Sequence, residues 1–243
     1  MGFTLVKPKC LLAAADMRDS MTVMLEPVAV ELNLWKNRLG HIPDWVWERT
    51  ELETLILADN ELTAISERIG GLQRLRTLDL GHNQLSRLPD TLGDITGLGS
   101  FLYLHDNRLN SIPQSMQRLK KLRYLNLSEN AMSEFPEAVC GMAALVELRI
   151  TDNQIETLPE CIDDLRSLRE IHLRNNRLST LPASIGTLPE LRQIDLRGNP
   201  LTSLPETITS LPKLEKLDLR WITSLLWPGW IEDLEARGCV VYR

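Results

Sequence analysis

Asparagine recurs at a fixed interval through most of this chain. Asn37, Asn60, Asn83, Asn107, Asn130, Asn153, Asn176 and Asn199 stand 23 residues apart, except that Asn83 and Asn107 are separated by 24. Six residues after each comes proline, at Pro43, Pro89, Pro113, Pro136, Pro159, Pro182 and Pro205, with Ser66 instead in the second copy. The shared pattern is LxxLxLxxNxLxxLP. A ninth copy has Ile222 in the Asn place and keeps Pro228, Ile231 and Leu234 on schedule. A period of this length over residues 29–236 restricts the chain to stacked identical units. No single unit can bury its apolar face alone, so neighbours must supply the core.

Each position in the unit has a physical role. In Leu75-Arg76-Thr77-Leu78-Asp79-Leu80 the alternation of Leu78 and Leu80 predicts a short strand with one buried face. The chain must then turn away from that strand, and the Asn amide, with two donors and an acceptor, suits the backbone groups that such a turn leaves unpaired. The eight Asn residues are therefore expected to form a ladder. Leu85 and Leu88 re-enter the core, and Pro89 fixes an extended or turn backbone. Leu92 and Ile95, three apart, predict a return arm that is a short helix or 3-10 turn. Nine strands at about 4.8 Å spacing give a parallel sheet on the order of 40 Å long. The extra residue of the fourth copy predicts a bulge near Gly99 to Phe101, ahead of its strand.

Open ends of such a stack require caps. Residues 1–28 are read as a capping segment with an amphipathic helix from Ala14 to Leu25, residues 29–221 as the solenoid, and 222–243 as the last return arm and C-terminal cap. The tryptophans gather at the two ends, Trp35, Trp45 and Trp47, then Trp221, Trp227 and Trp230, and capping is the expected reason for most. Cys10, Cys140, Cys161 and Cys239 show no CxxC spacing, and four reduced thiols are expected.

The unit resembles the leucine-rich repeat with an LPxxIxxL return arm. It is similar to the repeats of plant Ras-group-related proteins, animal Ras-scaffold and Scribble-type proteins, and bacterial proteins including type III effectors. The resemblance implies an α/β solenoid: an arc with a parallel sheet on the concave face and short helices or 3-10 turns on the convex face. It also implies protein recognition through the concave face. Several members of the family carry a kinase, GTPase or ubiquitin-ligase domain as well, for which this chain has no room.

Outward-facing strand positions line up as columns along the arc. The column two before each Asn ends in Arg174, Arg197 and Arg220, which form either a surface ion-pair lattice or a site for an acidic segment of a partner. Tyr103, His105 and Tyr124 lie mid-arc, where aromatics serve as interface anchors, and Arg149 and His172 extend that patch. These eight residues are the expected partner-binding set. Asp59, Asp106, Glu129 and Asp152, one before each Asn, form an acidic edge.

Other classes are disfavoured. A formal net charge of −6 argues against nucleic acid and anionic lipid. No run approaches the length of about 18 apolar residues needed for a membrane span. Met1-Gly2 lacks the Ser or Thr that a myristoylation signal wants at Val6. His82 and His105 with Asp79 and Asp106 do not make a closed ligand set, so no metal and no cofactor are expected. No nucleophile motif is present in a suitable context, and no catalytic residue is assigned. The expectation is a non-catalytic, monomeric module binding a protein, either a signalling protein or one with an acidic segment. The alternatives are a bacterial effector binding a host protein and the targeting part of a larger ligase or kinase system. The compartment is accordingly cytoplasmic, or the host cell after export from a bacterium.

Overall fold

The computed structural model describes residues 30–243. The helix expected over Ala14–Leu25 lies outside the described residues. Ten short strands follow one another in the chain and in space: β1 (Glu31–Asn33), β2 (Thr54–Ile56), β3 (Thr77–Asp79), β4 (Phe101–Tyr103), β5 (Tyr124–Asn126), β6 (Glu147–Arg149), β7 (Glu170–His172), β8 (Gln193–Asp195), β9 (Lys216–Asp218) and β10 (Val240–Tyr242). All pair in parallel, each with the next. The count is ten, not nine. The segment expected only to close the stack does so by adding β10 to the edge of β9, after a helix α1 (Ile231–Ala236) whose Ile231 and Leu234 are buried.

The middle residue of each strand from β2 to β9 points inward. Leu55, Leu78, Leu102, Leu125, Leu148, Ile171, Ile194 and Leu217 are all sealed from solvent and belong to one continuous hydrophobic core. Each fully buried aliphatic side chain of this kind contributes roughly 1.5–3 kcal/mol. The arms opposite the strands are 3-10 turns of five residues. Proline stands at the N-cap of seven of them, extended and donating nothing. In the copy without proline, the Ser66 hydroxyl accepts the Arg68 N–H at 3.2 Å, so a capping side chain replaces the missing ring.

The Asn side chains run through the core edge as a ladder. Asn107 Nδ2 donates to the carbonyls of Leu80, Leu104 and His105, and its Oδ1 accepts the N–H of Leu85 in the preceding coil. Asn60, Asn83, Asn130, Asn153, Asn176 and Asn199 repeat this bridging. Asn37, at the exposed first coil, donates its side-chain amide to the Trp35 carbonyl and its backbone N–H to Asn60 Oδ1.

The residue before each of these positions has a left-handed backbone, with φ between +49 and +64° at Lys36, Asp59, His82, Asp106, Glu129, Asp152, Asn175 and Trp221, and +68° at Gly198. Asp, Asn and Gly tolerate that conformation best. The acidic edge read from the sequence is therefore a consequence of backbone geometry as well as of solvation. Asn33, Asp79, Asn126, Asp195 and Asp218, at strand ends, each accept the N–H two residues on. Their short polar side chains close the turn.

The extra residue of the fourth copy is Gly99. Ser100 and Phe101 both donate to the Arg76 carbonyl, as Arg76 and Thr77 donate to that of Glu53. The register thus resumes at Ser100, and only Gly99 is looped out.

Two expectations are corrected. Cys140 and Cys161 are joined in a disulfide between the return arms of adjacent coils, with Cα atoms 5.8 Å apart; Cys239 is free and buried. Stacking had brought together two cysteines 21 residues apart, a proximity that CxxC spacing does not reveal. Capping does not explain most of the tryptophans: Trp47 is buried and Trp230 packs on the core, whereas Trp35, Trp45, Trp221 and Trp227 are exposed.

Candidate partner-binding face

Strand pleating sends the first and third residues of each strand to the concave surface, where neighbours in the column come from coils a full repeat apart. Mid-arc, this gathers Phe101, Tyr103 and Tyr124. The ring centroids of Phe101 and Tyr103 are 6.0 Å apart and nearly parallel; Tyr124 lies 5.6 Å from the first and 5.1 Å from the second. His105 meets Tyr103 edge-on at 6.1 Å. The Arg149 guanidinium lies 5.9 Å from the Tyr124 ring and donates to Glu147 at 2.6 Å.

Phe101, 44% exposed, is the member that the sequence did not disclose. It stands 23 residues before Tyr124, in the same column, but the one-residue insertion between Leu98 and Leu102 left its placement open until Gly99 was seen to be the extra residue.

Burial, then the charges of Asp79 and Glu147, pushes the Tyr103 hydroxyl above the usual phenol value; burial does the same to Tyr124. Burial, then the neighbouring His82, holds the His105 imidazole below its ordinary value. His82 stands 3.2 Å from His105 and is itself held by Asp106 at 2.7 Å. Gly81 makes room for this arrangement, since a Cβ there would come within 2.4 Å of the His105 ring.

The arginine column is different. Arg174 bonds Asp152 at 3.0 Å. Arg197 grips Asp195 with two bonds, at 2.8 and 2.6 Å. Arg220 grips Asp218 likewise, at 2.9 and 2.7 Å. Asp218 is wholly shielded and also lies 3.6 Å from Arg197. Trp221 stands between Arg197 and Arg220, 5.5 and 5.9 Å from their guanidinium carbons, and Tyr242 lies 5.0 Å from Arg220. Both aromatics were read from the sequence as capping residues.

His172 lies between the two groups, 3.3 Å from Glu170 and 3.8 Å from Glu147. These three are the described residues whose ligand atoms come close enough to hold a metal ion. Glu147, however, already spends an oxygen on Arg149. The His82, His105, Asp79 and Asp106 group does not gather in that way.

The leucine-rich-repeat model matches residues 29–85, 50–101, 100–155 and 166–221, and the chain belongs to the leucine-rich-repeat family. It is similar in structure to the ectodomain of the Arabidopsis thaliana membrane receptor kinase GASSHO1/SCHENGEN3, solved in complex with CASPARIAN STRIP INTEGRITY FACTOR 2. The identity is 32% over 84% of this chain and 26% of that one, with a TM-score of 0.72. A TDR receptor matches at 27% identity over 72% of this chain and 32% of its own, TM-score 0.66. The leucine-rich-repeat domain of the type III effector XopL matches over 89% of this chain and 77% of its own, at 24% identity and TM-score 0.77. The chain thus spans about a quarter to a third of the two receptor structures. No curated protein sequence matches it. Among the described residues no helix is long and apolar enough to cross a membrane.

Proposed function

We propose that this chain is a non-catalytic recognition module that takes a protein partner on its concave face, with Phe101, Tyr103 and Tyr124 as the anchor. The observation that carries this reading is three aromatic rings in mutual contact on the open side of the sheet. They stand outside the hydrophobic core and remain partly exposed. Stiff aromatic side chains lose little rotamer freedom on binding and bury a large area, which makes them the usual centres of binding energy. His105, Arg149 and His172 rim the patch with donors and acceptors, while Arg174, Arg197 and Arg220 extend the surface toward the C-terminal end.

The receptor ectodomain solved in complex with CASPARIAN STRIP INTEGRITY FACTOR 2 supports recognition of a partner as the class of function. The effector relative keeps open a role as a bacterial protein delivered to a host. Affinity capture from the source lysate tests the site. Tyr103→Ala with Tyr124→Ala should abolish capture while the urea unfolding midpoint moves little. Undiminished capture by that folded variant would place the site elsewhere.

A further inference from the structure

A second charged surface lies on the edge where the chain enters each strand, opposite the acidic edge. Arg74 and Arg76 lead into β3, Lys120, Lys121 and Arg123 into β5, and Arg166 and Arg169 into β7; all are exposed. The intervening coils present small or apolar residues at the same level, Gly97, Gly99 and Ser100 before β4 and Ala144 and Val146 before β6. The result is two depressions, of about 630 and 470 Å³, that share Lys121 and Arg123 as their common wall. They form one groove along the edge.

Its cations are largely unspent. Arg76 meets Glu53 at 3.6 Å, whereas Arg74, Lys120, Lys121, Arg123, Arg166 and Arg169 form no ion pair among the described residues; Arg74 and Arg169 feel only the more distant charges of Glu51 and Glu190. The arginines of the concave column, by contrast, are each matched by their own aspartate. In a chain of net charge −6, this edge gathers seven exposed cations, of which one, Arg76, is ion-paired. Glu53 closes one end of the groove and Glu190 lines the other.

We infer that this groove binds a short acidic segment of the protein partner, extended along the edge across the coils of β3 to β7. The inference rests on the protein-recognition reading and adds the chemistry of the ligand. Four inter-strand steps of about 4.8 Å span roughly 19 Å, the reach of about six residues of extended chain. Glu53 and Glu190 are themselves paired with Arg76 and Lys213, so the unpaired cations lie between them, on a stretch that suits a segment of that length.

The test uses a fluorescent oligoglutamate peptide of about eight residues and the full chain at low salt, read by anisotropy. Wild type should bind, and binding should weaken as salt rises. Lys121→Glu with Arg123→Glu should weaken it roughly tenfold or more. Arg174→Ala and Tyr103→Ala with Tyr124→Ala should leave it within about twofold, so loss of partner capture and loss of peptide binding are read separately. No binding by wild type would overturn the inference. So would an equal loss on Arg174→Ala, which would return acidic ligands to the concave column. Tighter binding of duplex DNA or of phosphatidylserine vesicles through Lys121 and Arg123 would also overturn it.

Discussion

The middle and the C-terminal end of the concave face use their outward-pointing side chains for opposite ends. Mid-arc, Tyr103 and Tyr124 have other rings, an imidazole and the Arg149 guanidinium beside them, and part of their surface stays open. At the C-terminal end, Arg197 and Arg220 stand two residues past their strands, in the column of His105; Asp195 and Asp218 take up their donors, and Trp221 and Tyr242 cover their faces. An outward-pointing charge is thus no more a binding group than a leucine is when its partner is already in the chain. What distinguishes the two regions is how much of each side chain's interaction capacity the fold itself consumes.

Mutation should separate them most sharply at Asp218. Asp218→Ala leaves Arg197 and Arg220 facing each other without their shared carboxylate, and should cost on the order of 2–3 kcal/mol in urea unfolding. A loss below about 0.5 kcal/mol would show the lattice to be idle. Next, Tyr103→Ala and Tyr124→Ala should each cost about 1 kcal/mol or less, because these rings are only half-buried, while partner capture collapses. A larger stability loss there would make the patch a structural one.

Acidity gives a smaller, separable effect in two windows. Burial raises the Asp218 carboxyl, yet the bond from Arg220 and the charges of Arg197 and Arg220 outweigh it and hold it below the usual value of 3.8. Asp152 is also lowered: burial is again the largest contribution and opposes the shift, and bonds from Asn175 and Arg174 outweigh it. A depressed carboxyl stabilises the fold fully above its ordinary pKa, and that stability is lost as pH falls below about 3.8 through the folded values. Unfolding midpoints of wild type and Asp218→Asn should therefore converge in strong acid.

The middle region titrates earlier. His105 takes its proton less readily folded than unfolded, so its protonation begins to favour the unfolded chain as pH drops below the ordinary value of 6.5. His105→Gln should flatten this slope, the smallest of the effects, in unfolding scans from pH 7 to about 5. An unchanged slope would mean that the imidazole is not shielded by its neighbours.

Much of this could be read directly from the residues, and particular ones show why. The recurrence of Asn and of Leu78, Leu80 and their counterparts specified coils, strands and an inward face, because a parallel stack repeats its environment at every turn. Tyr103 and Tyr124 could be aligned as neighbours for the same reason. Phe101 could not, since an insertion of one residue has two or three equivalent placements in sequence and only one in space. Nor could the Cys140–Cys161 bridge, whose separation of 21 is not the repeat length.

What the sequence determined alone is the coil: its pitch, its buried leucines, and which positions look outward. What the tertiary structure decided is which outward groups are already satisfied. Arg174 and Lys121 are both exposed cations in sequence terms, and only the packing of adjacent coils gives Asp152 to one and an open groove to the other. Periodicity is a local property written into every repeat. Charge compensation is local at Arg197–Asp195 and Arg220–Asp218, but at Arg174 it depends on Asp152, 22 positions away in the preceding coil, which no single repeat encodes.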